Sequence, residues 1–176
     1  GKVYAVDVGY GQLDWKLLAR SDRAGRVELL QALAAMAIAL LIAQAVERLW
    51  PQPRPFALHL GTQYLAHAAD AGLPSEPTTA LWTLALSALR SRRFGPLAFP
   101  LLTIGLLVGC SRVYLGIHFP YDIAAALAVA AAGVGAARCA NAALAPAALR
   151  VALLCERLEA RILAAVSGRR RGGGRR

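Results

Sequence analysis

Apolar residues in this chain come in long uninterrupted runs, separated by short intervals rich in arginine and proline. The first run, about Leu29 to Trp50, is an Ala/Leu/Ile stretch of the length that a bilayer core requires. Arg20, Arg23 and Arg26 precede it; Arg48, Trp50 and Pro51 end it, with Trp50 suited to an interfacial aromatic belt. A second run, Thr78 to Leu89, is short for a bilayer and is closed by the basic turn Arg90 to Arg93. The third covers about Pro96 to Tyr114. The fourth, about Pro120 to Ala140, is rich in the Ala and Gly that allow close helix packing. The pattern predicts an all-α, multi-span transmembrane bundle.

The remaining segments are more polar. Residues 1–28 are too polar to span; Gly9-Tyr10-Gly11 lacks the lysine and further glycines of a phosphate loop and reads as a turn. Gln52 to Pro77, with Arg54, His59, His67, Asp70 and Glu76, reads as an extramembrane loop holding one short helix near Gly61 to Ala69. Residues 29–146 form the bundle. In 147–166, Arg150, Glu156, Arg157, Glu159 and Arg161 punctuate an apolar helix, which is expected to be interfacial or partly inserted. The Arg/Gly tail, 167–176, is expected to be disordered. No basic segment followed by a short apolar core marks a cleavable signal, so the first spanning helix is expected to direct insertion. The start at Gly1 suggests a fragment or a processed terminus.

Composition changes the picture in one respect. The chain is 57% hydrophobic and 17% charged, yet carries a net charge of +10. In a soluble protein that balance suggests nucleic acid; here the arginines flank apolar runs, and juxtamembrane charge explains them better. If the four runs alternate, the clusters at Arg20 to Arg26, Arg90 to Arg93 and Arg169 to Arg176 share one side, the cytoplasmic one by the positive-inside rule. The loops Arg54 to Glu76 and Arg112 to His118 then meet at the opposite end. Cys110, Cys139 and Cys155 lack metal-ligand spacing and are read as buried small hydrophobes.

Candidate chemistry concentrates in Cys110-Ser111-Arg112-Val113-Tyr114-Leu115-Gly116-Ile117-His118-Phe119-Pro120-Tyr121-Asp122. If Pro120 opens a helix, His118 and Asp122 lie four apart and face the same way. A carboxylate can then hold the Nδ1 proton of the imidazole and leave Nε2 as nucleophile or base. Arg112 offers a guanidinium fork suited to phosphate oxygens. Each feature alone has a plainer reading. The pair can be a satisfied polar contact at a helix end, and Arg112 a snorkelling interface residue.

Taken whole, Ser-Arg, five residues, His, three residues, Asp resembles the third signature motif of the type-2 phosphatidic acid phosphatase superfamily, which includes vanadium haloperoxidases. The flanking Val113 to Pro120 is similar to the membrane branch that contains undecaprenyl-diphosphate phosphatases. Arg54-Pro55-Phe56 resembles the end of the first motif, although the motif's Lys position falls on Glu47, with Arg48 beside it as a candidate substitute. The second motif, Pro-Ser-Gly-His or Pro-Ser-Asp-His in the family, reads Pro74-Ser75-Glu76-Pro77, so the histidine that protonates the leaving group is absent. Members of the branch usually have a further spanning helix before the first motif, and residues 1–28 then read as its remnant.

The resemblance implies a helical bundle with its site at the outer, periplasmic end of a multi-pass inner-membrane protein. His118 would attack a phosphoryl group to give a phosphohistidine, Asp122 would orient it, and Arg54, Ser75 and Arg112 would hold the oxygens. Glu76 or His67 are candidate substitute acids; His67 and His59 read equally as ordinary loop histidines. The implied substrate is a polyprenyl diphosphate or related lipid phosphate, with no cofactor, no metal and no nucleic-acid partner. Two other readings stand beside it: an impaired homologue that binds or shuttles a lipid phosphate, and a structural protein or arginine-tail nucleic-acid binder.

Overall fold

The computed structural model describes residues 23–172; most of the polar segment, with its expected glycine turn, and residues 173–176 lie outside the described residues. Regular structure among the described residues is helical throughout. It comprises α1 (Arg23–Leu49), α2 (Glu76–Ala88), α3 (Ala98–Tyr114), α4 (Pro120–Cys139) and α5 (Asn141–Gly172), with short 3-10 turns at Pro55–Leu58 and Gly95–Leu97. Proline sets several starts: Pro77 and Pro120 each stand in a first turn, where their fixed φ suits a helix and no N–H is missed. The expected helix near Gly61 to Ala69 does not form. His59 and Gly61 both take positive φ there, which halts helix propagation, and the chain turns at Pro55–Leu58 instead.

The bundle packs through small residues. On α1, Ala35, Ala39 and Ala43 recur every four positions and are buried. A Cβ placed on Gly133 of α4 would fall 2.5 Å from the Ala39 Cβ, so only glycine lets these two backbones approach so closely. The core itself is small: Trp82, Ile123, Ala126 and Ala130, flanked by Leu86, Leu102 and Val113. The Trp82 indole donates to the Leu102 carbonyl at 3.1 Å, which removes its one polar group from the apolar surroundings.

Most other large apolar side chains point outward, including Phe99, Leu106, Leu107 and Leu127. That distribution suits a protein whose solvent is lipid. Three segments, Ala24–Leu49, Gly95–Tyr114 and Pro120–Cys139, are long and apolar enough to cross a membrane. The second expected span, Thr78 to Leu89, is not one. α2 has 13 residues and so extends only about 20 Å. It packs against α1, α3 and α4 and needs no bilayer-matched length of its own. The cysteine expectation is also corrected: Cys110, Cys139 and Cys155 are free and exposed. Apolar neighbours along the chain do not say which face of a helix a residue takes, and all three lie on an outer face.

Contacts at the helix ends establish the alternation. At one end Glu28 of α1 accepts a hydrogen bond from Ser91 Oγ at 2.6 Å, just past α2, and Gln31 donates to Asn141 at 2.8 Å, just past α4. At the other, the segment after α1 meets the start of α4. α5 stays with the first end: Asn141 contacts Gln31, and Glu159, eighteen residues later, pairs with Arg26 at 2.8 Å. Both partners lie in the first turns of α1, so α5 crosses that end and does not run alongside α1. Its backbone is helical to Gly172, through the first part of the tail expected to be disordered, as a helix already nucleated at Asn141 can propagate.

Candidate active site

The end of the bundle away from the Arg90 to Arg93 turn is built from two loops stitched together. The Gly72 N–H donates to the Gln52 carbonyl at 2.9 Å, which closes the long loop after α1 on itself. The Tyr64 N–H donates to the Leu115 carbonyl at 3.2 Å, which fastens that loop to the α3–α4 connection. Gly116 makes the junction possible. Its φ is +73°, and a Cβ there would lie 2.5 Å from the Thr62 carbonyl oxygen. Glycine alone satisfies both demands.

This junction presents Ile117 and His118 to Arg54. The Arg54 guanidinium is buried, 6% exposed, which an unpaired cation would not tolerate. It is instead surrounded by acceptors: Nε donates to Asp70 Oδ1 at 2.7 Å, Nη2 to the Ala71 carbonyl at 3.2 Å, and Nη1 to the Ile117 carbonyl at 3.0 Å. Nη1 also stands 3.2 Å from His118 Nε2. A guanidinium can only donate, so this contact is a hydrogen bond in the tautomer whose Nε2 accepts and whose Nδ1 carries the ring proton. Nδ1 faces Asp122 Oδ2 at 3.2 Å. The tautomer therefore follows from the two neighbours, and it leaves the Nε2 lone pair aimed at the cation.

Asp122 is fixed in turn. Its Oδ2 accepts the Phe119 N–H at 2.8 Å, so a residue in the first turn of α4 caps that helix while steadying His118. The carboxylate is 1% exposed, and its Oδ1 has no hydrogen-bond partner among the described residues. Ser75, fully buried as N-cap of α2, is brought alongside by its N–H to the Asp122 carbonyl at 3.4 Å. Its hydroxyl pairs with Thr78 Oγ1 at 3.0 Å. Arg54, Ser75, His118 and Asp122, spread over sixty-nine positions, thus form one connected group.

The other expected residues stand apart from it. Arg112 is half-buried in the last turn of α3 and its carbonyl accepts the Ile117 N–H at 3.2 Å, yet its guanidinium bonds to nothing among the described residues. Glu76 is exposed in the first turn of α2. His67 lies at the margin, its Nδ1 3.9 Å from Asp70 Oδ1. Glu47 is half-buried and Arg48 exposed, and neither makes an ion pair among the described residues.

Two participants are not evident from the sequence. Asp70 reads there as a loop charge, although it anchors Arg54. Burial pushes its carboxyl up, but the hydrogen bond and charge of Arg54, with His67 nearby, outweigh that and hold it below the usual aspartate value. Gly72 packs beneath both partners: a Cβ there would stand 3.2 Å from Arg54 Cγ and 3.6 Å from Asp122 Oδ2. The available signal for Asp70 is that Arg54 needs a counter-charge within its own loop.

A site of this composition, a steadied imidazole facing a buried guanidinium, can attack and hold a phosphoryl group. Residues 28–144 match the model of the PAP2 superfamily. Undecaprenyl-diphosphatase BcrC of Bacillus subtilis (strain 168) is 38% identical over 92 residues, 52% of this chain and 46% of that protein. Putative undecaprenyl-diphosphatase YbjG of Escherichia coli (strain K12) is 36% identical over 89 residues, 51% of this chain and 44% of that protein. The chain spans about half the length of these relatives. With more than half of its length matched by the family model, and with that model covering every residue of the group just described, the chain belongs to the PAP2 superfamily.

Proposed function

We propose that this chain is an integral-membrane lipid phosphatase that hydrolyses a polyprenyl diphosphate such as undecaprenyl diphosphate, working at the periplasmic end of an inner-membrane bundle. The observation that carries the reading is the 3.2 Å approach of Arg54 Nη1 to His118 Nε2, from segments sixty-four residues apart. The names of the two relatives supply the substrate class, and the basic opposite end supplies the orientation.

In the resting arrangement Arg54 covers the Nε2 lone pair. A terminal phosphate entering between them takes the guanidinium as its hydrogen-bond donor and uncovers the nucleophile. Nε2 then attacks phosphorus, the bond to the bridging oxygen breaks, and the lipid monophosphate departs with that electron pair. Asp122 stabilises the imidazolium character that develops. Arg54, joined by the uncommitted guanidinium of Arg112 and by Ser75, compensates the charge on the equatorial oxygens. Water next attacks the phosphohistidine; the P–N bond breaks, inorganic phosphate leaves, and the water proton passes to solvent.

Pro77 favours a second reading, in which the chain binds or shuttles a lipid phosphate without turning it over. It occupies the position of the family's general acid and carries no proton, and neither Glu76 nor His67 contacts His118. A diphosphate weakens the need for that acid, because its leaving group is a phosphate monoester and far less basic than an alkoxide. Phosphate release from undecaprenyl diphosphate by the purified protein separates the readings. The phosphatase reading expects release that His118→Ala abolishes; the binding reading expects none until Pro77→His introduces it. Release unchanged in His118→Ala contradicts both.

A further inference from the structure

The end of the bundle away from the site holds a cavity of about 580 Å³, within the range of small-molecule and lipid pockets. It lies where the start of α1, the end of α2, the start of α3, the end of α4 and the start of α5 converge. Its walls are mostly aliphatic, among them Leu84, Leu97, Leu101, Val134 and Leu144, and Arg90 and Arg138 line it as well.

The polar groups around it are not equivalent. Glu28 already accepts the Ser91 hydroxyl at 2.6 Å, and Gln31 and Asn141 satisfy each other at 2.8 Å. Arg90 and Arg138 make no side-chain hydrogen bond or ion pair among the described residues. What the cavity leaves on offer is therefore an apolar interior and two uncommitted guanidinium groups. A ligand that complements both must join hydrocarbon to an anionic head. A neutral lipid would leave the cations unused, and free phosphate would leave the aliphatic walls wet.

We propose that this cavity binds an anionic phospholipid from the leaflet opposite to the active site, with its phosphate held by Arg90 and Arg138 and an acyl chain lying between α1, α3 and α4. Guanidinium groups suit this role because their paired N–H donors match phosphate oxygens. The position also suits it, since basic pockets between membrane helices face the anionic leaflet. Bound there, the lipid would tie five helices together at an end where the described protein has little apolar core.

The test uses the full chain reconstituted in phosphatidylcholine nanodiscs with or without phosphatidylglycerol. Lipid retained after mild detergent extraction is counted by native mass spectrometry, and Tm is measured in parallel. The proposal expects phosphatidylglycerol to be retained and to raise Tm, and expects retention to fall about tenfold or more in Arg90→Gln/Arg138→Gln. Arg90→Lys/Arg138→Lys, which keeps the charge, should recover part of it, and Ala32→Trp, which adds bulk to the cavity wall and leaves both arginines in the chain, should lose it. Equal retention of phosphatidylcholine, or phosphatidylglycerol retention indifferent to both the glutamine pair and Ala32→Trp, would overturn the proposal. So would ready disulfide formation between Leu17→Cys and Leu101→Cys in lipid-free protein, which would seat the chain's own first residues in the cavity. Because the readout is bound mass, a chain without phosphatase activity tests it equally well.

Discussion

The two ends of this bundle are both supplied with arginine, and they use it in opposite ways. At the site end Arg54 is buried, 6% exposed, and each of its nitrogens has an acceptor. At the other end Arg90, Arg92, Arg93 and Arg138 are exposed on turns and helix ends. Arg26 reaches Glu159 across the surface, where the carboxylate side chain is 48% exposed. Residue type is therefore uninformative by itself. A guanidinium withdrawn from water must be surrounded by acceptors, and that requirement builds a fixed geometry; one left at the surface sets orientation and attracts anionic lipid.

The contrast can be broken most severely at His118. On the proposed mechanism His118→Ala should lower phosphate release at least ~10³-fold, because the proposed nucleophile has no substitute within reach. Steady-state assay of purified protein checks this. The opposite direction is open at Pro77: Pro77→His should raise release by up to ~10²–10⁴-fold, the range that positioned acid catalysis supplies. Arg54→Gln should cost about 10²–10³-fold, mainly in kcat, since the charge it offsets is greatest in the transition state.

Asp70→Asn tests a finer point. The carboxylate positions Arg54 from an exposed loop, so its loss should reduce kcat about tenfold and broaden the tolerance for Arg54→Lys. The sign of the pH effect follows from its depressed pKa. The ion pair contributes fully above the ordinary aspartate value of ~3.9 and is lost as pH falls through the lower folded value. Wild type and Asp70→Asn should therefore converge in stability only at acid pH below that range. Smallest of all should be Arg26→Gln at the other end. An exposed pair such as Arg26–Glu159 contributes ~0–1 kcal/mol, and phosphate release should not change.

Much of the bundle and its site is legible in the amino-acid sequence alone. Spacing puts His118 and Asp122 on one helical face, and Nδ1 does stand 3.2 Å from Oδ2. Charge alternation brings the Arg54 and His118 loops to one end, as they are. Apolar runs give α1, α3 and α4 to within a few residues, because bilayer length and proline punctuate them strongly. What the sequence hides depends on contacts between distant segments. α2 resembles a weak span because hydropathy cannot register that three neighbours enclose it. The loop after α1 reads as capable of a helix because its backbone bonds to Gln52 and Leu115 are non-local. Asp70 is silent until Arg54 is seen to need it, and the cysteines mislead because apolar neighbours in sequence do not say which face of a helix a residue takes; all three are exposed.

The proposed mechanism turns on one atom, His118 Nε2, which would be bared when an anion draws Arg54 aside and would then take the phosphoryl group. Lipid diphosphate labelled at its terminal phosphorus, mixed with the purified chain and quenched rapidly in alkaline detergent, reports on that atom in the wild type and in Pro77→His. The expected result is an alkali-stable, acid-labile label on His118 that disappears in His118→Ala. Label that survives in His118→Ala, or turnover that never labels the protein, would contradict the phosphohistidine route.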